Sequence, residues 1–426
     1  MTLIIIILFL LFALIGMPLA FTLGFSSFWA LFYGGMDLQI LPQRMMHAVD
    51  NFPLMAIPLF MLAGEIMVES DIIKRLINFS NSLVGRVHGG LAHVTIISGM
   101  VLASVTGAAV ASASALGSIL VPSLNKYYDK GYTSAVIASA ANLGPIIPPS
   151  NAMIIYALMA GSSVSVGALF MAGVVPGIIL TVAMMILSSY LSKKKGFELT
   201  GDPVNFKNVW VKFKESIVIL LMPIIVVGGI VGGAFTATEG AAIAVCYSLI
   251  IGFFITKKLT LKSLPPCMFR AALISGVVGA LIAFASTVTF VLTIDLIPMK
   301  LTNFIQEFTK SPLVFTLMVM VLLLIVGMFL ESNAAYIMLV PLIAPIALAY
   351  GIDPIYFGFI FVLNLVIGMM TPPVGVLLFV MCGITKISMS EMIKNSIPFI
   401  ILQYLVLALC IIFPEIVTAL PKALGY

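Results

Sequence analysis

Two short stretches constrain this chain more than any others: Gly144-Pro145-Ile146-Ile147-Pro148-Pro149-Ser150-Asn151 and Gly368-Met369-Met370-Thr371-Pro372-Pro373-Val374-Gly375. Each sets a glycine, three residues and a proline pair inside an apolar run long enough to cross a bilayer. Proline has no N–H and clashes with the carbonyl four residues back, so a proline pair interrupts a helix and strips several carbonyls of their partners. In hydrocarbon each such group costs several kcal/mol unless the freed backbone lines a cavity or binds something. One break in each half of the chain is the expected mark of a binding site built from discontinuous helices.

The surroundings of the breaks fit that reading. Apolar residues make up 62% of the chain and charged ones 9%, against about 25% charged in a soluble domain, and the mean hydropathy is +1.22. The chain therefore reads as an all-α polytopic membrane protein. The apolar segment 1–20 lacks a basic leader and is expected to be a retained first span. Cys246, Cys267, Cys382 and Cys410 have no metal or redox spacing and read as packing residues. His47, His88 and His93 share no ligand spacing, and no phosphate-binding glycine loop is present, so ATP hydrolysis is excluded.

The order of elements repeats. Residues 1–192 read as a first repeat, with scaffold at 1–88, a hairpin at 89–124, a broken helix at 132–160 and a scaffold span at 166–191. A cytoplasmic linker at 193–214 precedes a second repeat at 215–426, with scaffold at 215–310, including a short polar helix near 259–268 and an amphipathic stretch at 298–310. It continues with a hairpin at 312–349, a broken helix at 354–384 and a last span at 395–417. Pro148 and Pro372 set the offset at 224 residues (372 − 148). Runs 89–124 and 312–349 exceed one span and have small or polar residues in their middles, Ser104-Val105-Thr106-Gly107-Ala108-Ala109 and Gly327-Met328-Phe329-Leu330-Glu331-Ser332-Asn333-Ala334-Ala335, which fits re-entrant hairpins ending near the midplane. The alternative is two complete short spans joined by an aqueous turn.

Charge favours the re-entrant form. With returning hairpins each half crosses the membrane five times, so the second half is inverted. With both termini outside, 17 of the 21 Lys and Arg then lie inside, leaving Arg44, Lys300, Lys310 and Lys422 outside. That is the positive-inside bias, and it accounts for the net charge of +5 without invoking nucleic acid.

In such a pair the hairpin tips meet the breaks at mid-depth. Ser104, Thr106, Gly107, Gly144, Pro148, Ser150 and Asn151 then form one oxygen-rich shell, and Gly327, Ser332, Asn333, Gly368, Thr371 and Pro372 a second. Shells of hydroxyls, amides and carbonyls suit a hard cation, and Na⁺ is the natural candidate, with at least two ions as coupling ions and no other cofactor. The bland alternative is that these hydroxyls satisfy one another across packed helices. Ser112, Ser114, Pro149, Glu331, Pro373 and Gly375 are expected to line a solute cavity between the shells. That region holds no Lys, Arg or His, so an anionic solute would be held by Na⁺ and by half-helix N-termini. Glu65, Glu239 and Glu331 lie in or near apolar stretches. Glu331 reads as a cavity group, Glu239 as a helix cap, and Glu65 as either a link between spans or a partner contact.

The motifs Ile57-Pro58-Leu59-Phe60, Gly117-Ser118-Ile119-Leu120-Val121-Pro122, Ile147-Pro148-Pro149-Ser150, Phe235-Thr236-Ala237-Thr238-Glu239-Gly240 and Thr371-Pro372-Pro373-Val374-Gly375 occur in order along nearly the whole chain. In these the sequence resembles the large membrane subunit of tripartite ATP-independent periplasmic (TRAP) transporters. Ser112 stands where many members carry an acidic residue, and Ala237 replaces a usual proline. The resemblance implies an elevator-type, Na⁺-coupled importer of organic acids, sialic acid or C4-dicarboxylates, in the bacterial inner membrane. It also implies two partners, a small four-helix membrane subunit as a separate chain and a soluble periplasmic binding protein. A self-sufficient Na⁺/dicarboxylate symporter and, from another class, a passive channel or membrane scaffold are the competing readings. An enzyme is not expected.

Overall fold

The computed structural model describes residues 1–84, 87–199 and 205–426, apart from the side chains of 73, 103–106, 162 and 206. It is helical throughout, and no strand forms among the described residues. The first half contains α1 (Thr2–Leu14), α2 (Leu19–Tyr33), α3 (Ile40–Val49), α4 (Ala56–Glu69), α5 (Ile72–Val84), α6 (Gly90–Thr106), α7 (Ala109–Leu124), α8 (Lys130–Ala141), α9 (Asn151–Ala160) and α10 (Val166–Lys194). The second contains α11 (Phe206–Val231), α12 (Ala237–Ile250), α13 (Leu264–Ile294), α14 (Ile297–Phe308), α15 (Pro312–Phe329), α16 (Ser332–Ala349), α17 (Pro354–Gly368), α18 (Val376–Thr385), α19 (Met389–Ile412) and α20 (Glu415–Ala423). Eight helical segments among the described residues are long and apolar enough to cross a membrane.

The helices nearest the two breaks form the centre. Every residue of α8 from Gly131 to Ala141, and of α17 from Tyr356 to Gly368, is buried. Small residues make this possible in α8, whose sequence runs Ser134-Ala135-Val136-Ile137-Ala138-Ser139-Ala140-Ala141 and lets α6 approach closely. A Cβ built on Gly99 of α6 would come within 2.7 Å of the Ala140 Cβ. Without a hydrophobic driving force between helices in lipid, such close backbone packing is what holds them together. α15 lies on α17 in the same manner, while α2, α3 and α4 gather around α13.

Several boundaries differ from the sequence expectations. No separate polar helix forms at 259–268, because α13 starts at Leu264 and runs unbroken for 31 residues. Its Pro265 and Pro266 sit in the first turn, where missing N–H groups cost nothing. A short helix appears instead in the first half, as α3. The segment 193–214 is largely helical at its ends. α10 continues to Lys194, and α11 begins at Phe206, where Asn205 accepts a hydrogen bond from Lys207 N at 3.0 Å. The last span divides: α19 starts at Met389 under a Ser388 cap, with Glu391 N donating to Ser388 Oγ at 3.2 Å, and α20 follows after Pro414. α10, which reads as a scaffold span, packs on α6, α17, α19 and α20 and also on α11. The Lys195 ammonium reinforces this, bonding both Asp129 at the start of α8 (2.8 Å) and Asn395 of α19 (2.7 Å).

Candidate functional site

The first interruption separates α8 from α9. Leu143 O accepts from the N–H groups of Ile146 and Ile147 (3.1 and 3.0 Å), and Gly144 N donates to Ala141 O at 3.1 Å. The chain then passes the buried Pro148-Pro149 pair, whose peptide bond is cis. Ser150 restarts the helix: its hydroxyl donates to Pro145 O (2.6 Å) and accepts from Met153 N (3.3 Å). The second bond is that of an N-cap, the first ties the cap back across the turn, and the residue is fully buried. Against this turn stands Gly107, between α6 and α7, with φ +61°. A Cβ there would lie 2.7 Å from Asn151 N and 3.0 Å from its Nδ2. Only glycine allows both that dihedral and that approach. The side chains of Ser104 and Thr106, expected in the same shell, lie outside the described residues.

The second interruption separates α17 from α18. Here the backbones of Gly327 and Gly368 touch: a Cβ on Gly368 would lie 2.7 Å from Gly327 Cα and 2.8 Å from its carbonyl carbon. Gly375, at φ +60°, donates its N–H to Met328 O at 3.0 Å, tying the break to α15. The Thr371 hydroxyl donates to Ile367 O (2.9 Å) and lies 3.2 Å from the Tyr404 hydroxyl. Pro372-Pro373 is again cis, with Pro373 exposed. At the hairpin turn Glu331 is the N-cap of α16. Its carboxylate accepts from Asn333 N (3.0 Å) and Ala334 N (3.4 Å), and the Ser332 hydroxyl donates to it at 3.4 Å. The acid expected as a cavity group thus has a local capping task, as does Glu239, which closes a capping box with Thr236. Glu65 pairs with Arg270 of α13 at 2.6 Å, the inter-span link.

The structure therefore gathers Gly107, Ser150 and Asn151 at one break, and Gly327, Gly368, Thr371 and Gly375 at the other. The six residues expected to line one solute cavity differ in their surroundings. Ser112 and Ser114 are two apart on α7, so they point to different faces. Ser112 is fully buried and Ser114 exposed. Pro149 and Gly375 are buried and Glu331 caps its helix. Ser114 instead faces a cavity of about 300 Å³ shared with Glu65 and Arg270. A larger cavity, about 570 Å³, opens between α3 and α13 on one side and α9 and α16 on the other.

Two asparagines escaped the sequence reading. Asn142, just past α8, donates Nδ2 to Gln403 Oε1 (2.7 Å), and Asn364 of α17 donates Nδ2 to Met320 O (2.6 Å). Both are almost fully buried, and the Oδ1 of each meets no hydrogen-bond donor among the described residues. The available signal was an amide inside an apolar run, as also for Gln403 in α19. Among the described residues no three His, Cys, Asp or Glu side chains assemble as a metal site.

A membrane chain whose described residues form helices and no strand, with two proline-interrupted helices each in close glycine contact with a helical hairpin, defines a polytopic transport protein. Its fold is similar to that of the YdaH transporter of Alcanivorax borkumensis, with TM-score 0.65 over 87% of this chain and 86% of that one, at 13% identity. Residues 6–416 match the family model of the tripartite ATP-independent periplasmic transporter, DctM component. The chain is 34% identical over 415 residues to the sialic acid TRAP transporter large permease SiaM of Vibrio cholerae, covering 96% of each. It is 33% identical over 426 residues to the C4-dicarboxylate TRAP transporter large permease DctM of Rhodobacter capsulatus, covering 97% of each. The chain belongs to the DctM family, the large permease component of TRAP transporters, and is a multi-pass inner-membrane protein rather than an enzyme.

Proposed function

We propose that this permease is a Na⁺-coupled importer of an organic acid, of the sialic acid or C4-dicarboxylate class. It works with a small four-helix membrane subunit as a separate chain and takes its solute from a periplasmic binding protein. In this reading the two halves are inverted repeats with both termini periplasmic. The hairpins and broken helices, with α10 and α19, slide as one block against a frame built around α13, the elevator mode. The observation that carries the reading is the pairing of a hairpin glycine with each break, Gly107 on Asn151 and Gly327 on Gly368. The donor-free oxygens of Asn142, just past α8, and Asn364, within α17, supply neutral oxygen ligands beside those breaks, a donor type that suits Na⁺. Coupling follows electrostatically, since an anion is unfavourable at mid-depth until cations occupy the breaks.

The test is uptake of N-acetylneuraminate and of succinate into proteoliposomes holding this chain, its small subunit and the loaded binding protein. Uptake of one of them that needs an inward Na⁺ gradient is expected. Uptake at full rate with K⁺ in place of Na⁺ would support a passive channel, and uptake without the binding protein a self-sufficient symporter.

A further inference from the structure

The cavity of about 570 Å³ between α3, α13 and the ends of α9 and α16 has two unlike walls. From α13 come Ser286, Thr289 and Thr293, which recur every three or four residues and so share one helix face. α3 adds Arg44 and His47, one turn apart. The facing wall, from α9 and α16, is apolar: Leu158, Met159, Ile337 and Pro341. Arg44 is held in place without spending its charge. Its backbone carbonyl accepts from the Ser286 hydroxyl at 3.1 Å, and its guanidinium lies over the Phe290 ring, 4.1 Å from the centroid. Among the described residues it makes no salt bridge, unlike Arg270, which is committed to Glu65 and Glu69. An arginine stacked on an aromatic ring keeps its fork of N–H donors for a planar carboxylate.

We propose that this cavity is an anion-reception site, in which Arg44 takes one carboxylate of the solute and the hydroxyls of Ser286, Thr289 and Thr293 take its neutral polar groups. Asp50, which ends α3, also lines the cavity and makes no salt bridge among the described residues. It offers an acceptor to solute hydroxyls and repels a second carboxylate, so the site suits a hydroxyl-bearing monoacid better than a diacid. Because one wall belongs to the frame and the other to the block proposed to slide, movement of the block takes the site apart and releases the solute from Arg44. The inference rests on the reading of the chain as an organic-anion importer. It differs from the expectation that no basic side chain meets the solute.

The test reads the charge of the cavity directly. Thr289→Cys, in a full-length background whose four native cysteines are replaced by serine or alanine, is labelled with sulfonatoethyl methanethiosulfonate or with its trimethylammonium counterpart. The expected result is faster labelling by the anionic reagent. In Arg44→Gln the ratio of the two rates should fall by about tenfold, as loss of a unit charge several ångströms away implies, and in Arg44→Lys it should largely persist. A ratio unchanged in Arg44→Gln, or faster labelling by the cationic reagent with Arg44 in place, overturns the proposal. Ser286→Cys serves as a second labelling position if Thr289→Cys does not assemble. The Na⁺ dependence of uptake is measured separately, so failure of the transport reading and failure of this site give different results.

Discussion

Replacing Gly368 by alanine should be among the most damaging small substitutions in the chain. The new Cβ would stand 2.7 Å from Gly327 Cα and 2.8 Å from its carbonyl carbon. Carbon atoms settle at about 3.5–4.0 Å, so α15 and α17 must part by roughly 1 Å. Both contacted atoms are backbone, and no flexible side chain can give way. The neighbouring bond from Gly375 N to Met328 O starts at 3.0 Å and would stretch toward ~4 Å, where it no longer counts as a hydrogen bond. Overpacking costs about 1–3 kcal/mol and the lost bond about 0.5–1.5 kcal/mol. If half of the combined loss falls on the cation-bound arrangement, about 1–2 kcal/mol, the Na⁺ concentration for half-maximal uptake rises roughly five- to thirtyfold. The assay is Na⁺-dependent uptake in proteoliposomes at matched protein content, with size-exclusion profiles to confirm assembly. Gly383→Ala in α18 is the control, because a Cβ there meets nothing within 4 Å. Wild-type Na⁺ dependence and rate in Gly368→Ala would refute the argument that this contact shapes the site.

The other predictions concern the same elements. Gly107→Ala meets Asn151 N at 2.7 Å and also forces a side chain onto φ +61°, so Na⁺-dependent uptake should fall at least as much as in Gly368→Ala; normal uptake would separate the first hairpin from the transport step. Thr371→Ala removes a hydroxyl bonded to Ile367 O and next to Tyr404, and should raise the Na⁺ requirement more than Tyr404→Phe does; equal effects would mean that the hydroxyl pair only braces α17 against α19. Glu239→Ala breaks the capping box of α12 and should lower the thermal unfolding temperature while leaving the Na⁺ requirement unchanged; a shifted requirement would give this acid a transport role.

Much of the architecture was written locally. A proline pair cannot continue a helix in any environment, so the interruptions after α8 and α17 follow from covalent geometry alone. Apolar run lengths gave the membrane class, and the capping role assigned to Glu239 needed only three residues of context. Boundaries went astray where local cues conflict. The stretch 259–268 reads as a short polar helix of its own, whereas its prolines at 265 and 266 open the long α13. The Ser388 cap lies within a polar stretch that reads as a loop.

The meetings of distant segments were not legible in this way. That Gly327 opposes Gly368, that Gly107 opposes Asn151, and that Arg270 reaches Glu65 across 205 positions depends on how α15, α6 and α13 pack. Packing between helices in lipid turns on sub-ångström fit of small residues rather than on any pattern along the chain. The same holds for the direction of a side chain. Ser112 and Ser114 look interchangeable in sequence, yet the rotation of α7 buries one and exposes the other. The candidate site thus has its residue types from local chemistry and its geometry from contacts between segments far apart in the chain, where small differences in distance decide which groups meet.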